Sequence, residues 1–195
     1  RGRGVADIID RIATKAGLVR TGPGQWHPLG RPEYLRQQCE MSLRRLGLER
    51  IDLFQLHRID PEVPVEESLG GLTELQQQGK IRHIGLSEVS VAEIEQARRA
   101  ATIVSVQNRN NLTSRTAEDV VDHCAREGLA FIPWFPIATG ELARPGGKSV
   151  MEVGVTVEQR RRGGGCAPLV GERIQVVAPH TARVLVEIHV GVVRR

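Results

Sequence analysis

The sequence predicts an α/β fold: part of a (β/α)8 TIM barrel, with about five recognisable strand–helix units, followed by an irregular tail. Three observations lead to this class. Between about residues 10 and 143, short apolar runs alternate with longer amphipathic stretches, the signature of a parallel sheet covered by helices. The longer stretches stop at Gly47, Gly79 and Gly128, where a left-handed cap favours glycine. The unit recurs about every 20 to 40 residues, and a complete barrel needs about 250 residues, whereas the chain has 195.

The elements follow in order. Ile12-Ala13-Thr14-Lys15 reads as the first buried strand. Gly22-Pro23-Gly24 lacks the spacing of a phosphate cradle and reads as a turn. A helix is expected from Arg31 to Leu46, with Tyr34, Leu35, Met41, Leu43 and Leu46 as its main apolar residues. Ile51 to His57 forms the second strand, and Val65 to Gln78 the next helix, where Leu69, Leu72 and Leu75 mark one face. His83 to Ser87, Ile103 to Gln107 and Phe131 to Phe135 complete the strands; Val91 to Ala100 and Ala117 to Glu127 complete the helices.

Composition excludes several classes. No apolar run is long enough to cross a bilayer as a helix, and Arg1 to Val5 is not followed by the apolar core of a secretory signal. Cys39, Cys124 and Cys166 are odd in number and free of CxxC spacing, which suits reduced thiols in the cytoplasm; Cys124, within a helical segment, is expected to pack. The net charge is +4, yet residues 148–195 hold eight Lys/Arg and four Asp/Glu, which leaves nineteen of each sign in residues 1–147. A neutral main body gives no general attraction to nucleic acid. His27, His83, His123, His180 and His189 show no ligand spacing, so no metal centre is expected.

Residues 148–195 differ in kind. No aromatic follows Phe135, no Asp follows Asp122, and Val, Gly and Arg dominate. Residues 174–178 and 184–188 could form strands. This composition suggests translation in a shifted reading frame of a GC-rich gene; a divergent genuine tail is the alternative.

In a parallel barrel, residues at the C-terminal ends of strands face the active-site mouth. Lys15, His57, Ser87, Gln107 and Trp134 occupy such ends on five strands. Singly, a strand-end lysine reaches solvent and a lone histidine is a satisfied polar group. Five on one rim point to a site.

Ile12 to Lys15, Asp52 to His57, Gly79 to Ser87 and Val106-Gln107-Asn108 together resemble successive signatures of the aldo-keto reductases, in that family's order. The resemblance covers about residues 10–147 and implies a (β/α)8 barrel with NADPH-dependent reduction of an aldehyde or ketone. It implies catalytic roles for Lys15 and His57, and cofactor contacts at Ser87, Glu88, Gln107 and Trp134. Ser87 and Gln107 would hold the nicotinamide carboxamide, and Trp134 would stack on the ring. Glu88 stands where the family has Asn; it either turns away, contacts another group or weakens carboxamide recognition. Asn110-Asn111 replaces a common aromatic. The Lys15 strand matches the family's third, so the catalytic Asp and Tyr would precede residue 1. Tyr34, the only tyrosine, is expected on the barrel exterior. The family's closing strand and 2′-phosphate loop have no recognisable counterpart. Weak or no turnover is therefore expected, with a noncatalytic cofactor-binding or regulatory role as the alternative. The partner would be a small carbonyl compound.

Overall fold

The computed structural model describes residues 12–111 and 114–135, together with two strands at residues 172–176 and 188–190. Strand β1 (Ile12–Ala16) leads into a hairpin of β2 (Leu18–Gly22) and β3 (Gln25–Pro28), then α1 (Pro32–Leu46), β4 (Ile51–Leu56) and α2 (Val65–Gln77). β5 (Ile81–Ser87), α3 (Val91–Ala100), β6 (Ile103–Gln107), α4 (Glu118–Glu127) and β7 (Ala130–Phe131) follow, and β8 (Glu172–Val176) and β9 (Ile188–Val190) come last. The main sheet has the order β7-β6-β5-β4-β1-β8-β9. Its neighbours are parallel from β7 to β8, and only β9 is antiparallel.

Strand alternation separates two faces. Phe54, Leu56, Ile84, Leu86 and Val106 join one core with Leu35, Leu43, Leu69, Leu72, Leu75, Ile94 and Val120 from the four helices. Ala13, Leu53 and Ile132 pack on the opposite face. That inner face continues upward through Lys15, Gln55, Gly85 and Ser105, which lie in register across β1, β4, β5 and β6. The next inner row holds Ser87 opposite Gln107. Polar residues therefore gather at the C-terminal ends of the strands.

The helix ends match their sequence signals. Gly47 and Gly128 cap α1 and α4 in the left-handed region, and Gly79 adopts the same conformation just after α2. Ser90 and Glu93 form a reciprocal capping box on α3. Within α2, Gly71 leaves room for Pro32 of α1, which lies 2.9 Å from where a Cβ would stand.

The loop after β4 is tied to the start of α1. Asp60 Oδ2 accepts from Gly30 N at 2.8 Å, Asp60 Oδ1 accepts from Glu62 N at 2.9 Å, and Ser68 Oγ donates to Gly30 O at 2.7 Å. At the other end of this loop His57 N donates to Ala16 O at 2.7 Å. Gly17, at φ +108, permits that approach: a Cβ there would lie 3.0 Å from Leu56 and 3.4 Å from His57 N.

Three features depart from the sequence reading. The β2–β3 hairpin was not anticipated, because its polar residues leave little apolar alternation; the Gly22-Pro23-Gly24 turn lies within it. The expected strand over 131–135 shortens to Ala130–Phe131, since Pro133 has no N–H for a ladder. The tail strands fall at 172–176 and 188–190, and β8 pairs with β1, setting Ile12 opposite Gln175 and Ala13 opposite Val176. The rest of residues 148–195 lies outside the described residues.

Candidate active site

The rim formed by β1, β4, β5 and β7 brings Lys15, His57, Arg58, Ser87 and Trp134 around a cavity of about 180 Å³. Lys15 Nζ donates to Gln107 Oε1 at 2.5 Å, although β4 and β5 stand between their strands. In a flat sheet those strands would be about 14 Å apart. The contact requires a sheet curled around its inner face, as in a barrel wall. All five rim residues anticipated from the sequence thus meet: four line the cavity, and Gln107 joins through its bond to Lys15.

The environment sets the charges. Burial first, then the Lys15 and Arg58 cations, push His57 down to about 3, so its imidazole is neutral at neutral pH. Burial first, then Arg58, lower Lys15 to about 8, while the Glu88 carboxylate opposes the shift. Burial also lowers Arg58 and Glu88 again opposes it; a guanidinium remains charged.

Glu88 resolves one open point by contacting other groups. It sits at φ 55, its Oε1 accepts Arg109 N at 2.6 Å, and the same oxygen accepts the Trp134 indole Nε1–H. Asn108 braces the adjacent turn, accepting Val89 N at 3.1 Å and donating to Val89 O at 2.7 Å. Sequence reasoning missed Arg58, whose only signal was its place after His57 at the strand end. Tyr34 is half-buried on α1 against the core between helices and sheet, where burial raises its pKa. It does not line the cavity.

The side chains suit a nicotinamide end. Ser87 and Gln107 are nearly buried, at 2% and 4% exposure, and offer a hydroxyl and an amide; Trp134 offers an aromatic face. The cavity is smaller than the roughly 300–1,000 Å³ of complete ligand pockets, so it matches a ring rather than a whole dinucleotide. The family's 2′-phosphate loop would fall in residues 148–195, which, apart from β8 and β9, lie outside the described residues.

The model of the aldo/keto reductase family matches residues 10–152. An uncharacterized oxidoreductase of Schizosaccharomyces pombe is 54% identical over 135 residues, covering 69% of this chain and 44% of that protein. A probable aldo-keto reductase of Glycine max is 40% identical over 143 residues, or 73% and 40% of the two chains. Among solved structures, a glycerol dehydrogenase of Gluconobacter oxydans superposes with TM-score 0.65 at 31% identity, covering 71% of this chain and 45% of that one. An aldo-keto reductase of Bacillus halodurans in its holo form gives TM-score 0.61 at 30% identity, with 69% and 46% covered. The chain thus spans less than half the length of these relatives. A strand-end site on a curled parallel sheet and the family match agree: the chain belongs to the aldo/keto reductase family of oxidoreductases.

Proposed function

We propose that the rim holds the nicotinamide end of NADPH and orients the carbonyl of an aldehyde or ketone for reduction. The convergence of Lys15, His57, Ser87 and Trp134 on one cavity, with Gln107 bonded to Lys15, carries this reading. NADPH would supply the hydride, and solvent the proton that converts the resulting alkoxide to the alcohol. Ser87 and the Gln107 amide nitrogen would fix the carboxamide, which selects the ring face presented to substrate. Trp134 would cover the ring and exclude water. A neutral His57 can donate one N–H to the carbonyl oxygen without adding a third cation beside Lys15 and Arg58. Lys15 and Arg58 would stabilise negative charge developing on that oxygen.

Turnover by these 195 residues is proposed to be weak, because their single tyrosine is held on α1 away from the cavity. The same observation favours a second reading: a cofactor-binding or regulatory module without catalysis. NADPH titration followed by reduction assays on small aldehydes and ketones separates the two. Binding with slow reduction, lost in Lys15→Met and His57→Ala, supports the first; binding with no reduction supports the second; no binding refutes both.

Among the described residues no helix is long and apolar enough to cross a membrane, and Cys39 and Cys124 are free and buried. A cytoplasmic site of action, a small carbonyl partner and no nucleic-acid role belong to the same proposal.

A further inference from the structure

A non-glycine residue in the left-handed region is uncommon, and such outliers cluster at functional sites. Glu88 is one, at φ 55, and it directly follows β5. Its left-handed turn leads from the end of β5 toward the rim. Its N–H donates to Gln107 O at 3.0 Å, at the end of β6. Its Oε1 takes Arg109 N, just beyond β6, and the Trp134 indole N–H, beyond β7. One residue thereby ties together the C-terminal ends of three strands.

Trp134 is held from other directions as well. Trp134 N donates to Asn108 O at 3.1 Å, the Arg109 guanidinium lies 5.9 Å from its ring centroid and 4.9 Å from that of Phe135, and the Phe135 ring meets it edge-on at 5.8 Å. Among the described residues, only the bond to Glu88 grips the polar edge of the indole. Glu88 also lies between two cavities: it lines one of about 280 Å³ with Ser90, Asn108 and Arg109, while its neighbour Ser87 and its partner Trp134 line the Lys15–His57 cavity.

We propose that Glu88 is a positioning residue: its carboxylate grips the Trp134 indole and fixes the orientation of the aromatic wall beside Lys15 and His57. Carboxylate chemistry suits this role. Both groups it receives are N–H donors, which an acceptor-only side chain can satisfy together, and charge assistance strengthens each bond. An asparagine side chain, one carbon shorter, would span less of the gap to the ends of β6 and β7. The same carboxylate opposes the lowering of the Lys15 and Arg58 pKa values. The positioning rests on geometry alone; its consequence for ligand binding rests on the cofactor reading above.

The test uses the full chain carrying Trp26→Phe, so that Trp134 is the only tryptophan; Trp26 is half exposed on the β2–β3 hairpin and lines neither cavity. The indole N–H resonance of Trp134 is recorded first, with Glu88 intact. A bonded N–H should resonate downfield and exchange slowly with solvent. Glu88→Ala should move it to the position of a solvent-exposed indole, red-shift the emission and raise acrylamide quenching at least twofold. Glu88→Gln, which keeps an acceptor at the same reach, should restore most of the emission and quenching. NADPH binding should weaken about tenfold in Glu88→Ala, the loss expected for one net hydrogen bond at the wall.

A Trp134 N–H that exchanges like a free indole with Glu88 intact would overturn the proposal, without recourse to any variant. So would unchanged emission and quenching in a folded Glu88→Ala protein. A changed Trp134 signal with no NADPH binding even when Glu88 is intact would uphold the positioning and refute the cofactor reading.

Discussion

Lys15 should lose its proton near pH 8 rather than above pH 10. Its pKa falls from 10.5 to about 8, chiefly through burial and then through Arg58, with Glu88 opposing. At pH 9 a lysine of pKa 8 is roughly 90% neutral, whereas an unperturbed one is roughly 3% neutral. Competitive acylation with a trace amine reagent, read by mass spectrometry on the Lys15 peptide against free lysine, measures the midpoint directly. The midpoint should fall further in Glu88→Gln, which removes the opposing charge, and rise in Arg58→Met, which removes a repelling one.

The folded value lies below the unfolded one, so between about pH 8 and 10.5 the unfolded chain binds more protons. The stability penalty from charged Lys15 is full below pH 8 and disappears as pH rises to 10.5. At pH 7 it amounts to at most about 3.4 kcal/mol, offset by a charged hydrogen bond to Gln107 worth about 1.5–3 kcal/mol. Lys15→Met should therefore change stability by no more than about 2 kcal/mol, while any carbonyl reduction that depends on the cation is lost. In the unmodified chain such reduction should decline above pH 8. A midpoint near 10.5, or one unmoved by both substitutions, would refute this electrostatic picture.

Other positions give separate tests. Gly85→Ala places a Cβ 2.5 Å from Ser105 Oγ and 3.1 Å from Gln55 Cγ, so it should destabilise by about 1–3 kcal/mol, read as a lower urea midpoint. Asp60→Ala removes an acceptor for the Gly30 and Glu62 amides and should cost about 2–3 kcal/mol; faster amide exchange over residues 57–64 should accompany the loss. Deleting residues 148–195 removes β8 from the β1 edge and should promote association, because an unpaired edge templates strand addition. Size-exclusion chromatography showing the shortened chain no more associated than the full one would contradict that edge role.

The helices and parallel strands were legible because each lays a periodic apolar face on a shared core; Leu69, Leu72 and Leu75 are all buried, as their spacing requires. The rim residues were legible because a parallel strand directs its last polar side chain toward one end, as Lys15, His57 and Ser87 show. The hairpin was not, since Arg20, Thr21, Gln25 and His27 are exposed and carry little hydrophobic pattern. Cys39 joined the core unannounced: its thiol behaves as a small apolar group, fully buried on α1. Glu88 could be flagged as a substitution but not placed, because its contacts with Arg109 and Trp134 span 21 and 46 residues of sequence. Contacts of that range depend on the sheet order, which no local pattern states.

The most direct measurement is NADPH titration of the full chain carrying Trp26→Phe, following energy transfer from Trp134 to the reduced nicotinamide. Saturable transfer that weakens about tenfold in Ser87→Ala and in Gln107→Ala is the expected result. It would place the nicotinamide at the rim built by β1, β4, β5, β6 and β7. NADPH that fails to bind, or binds equally well in both variants, would contradict that assignment.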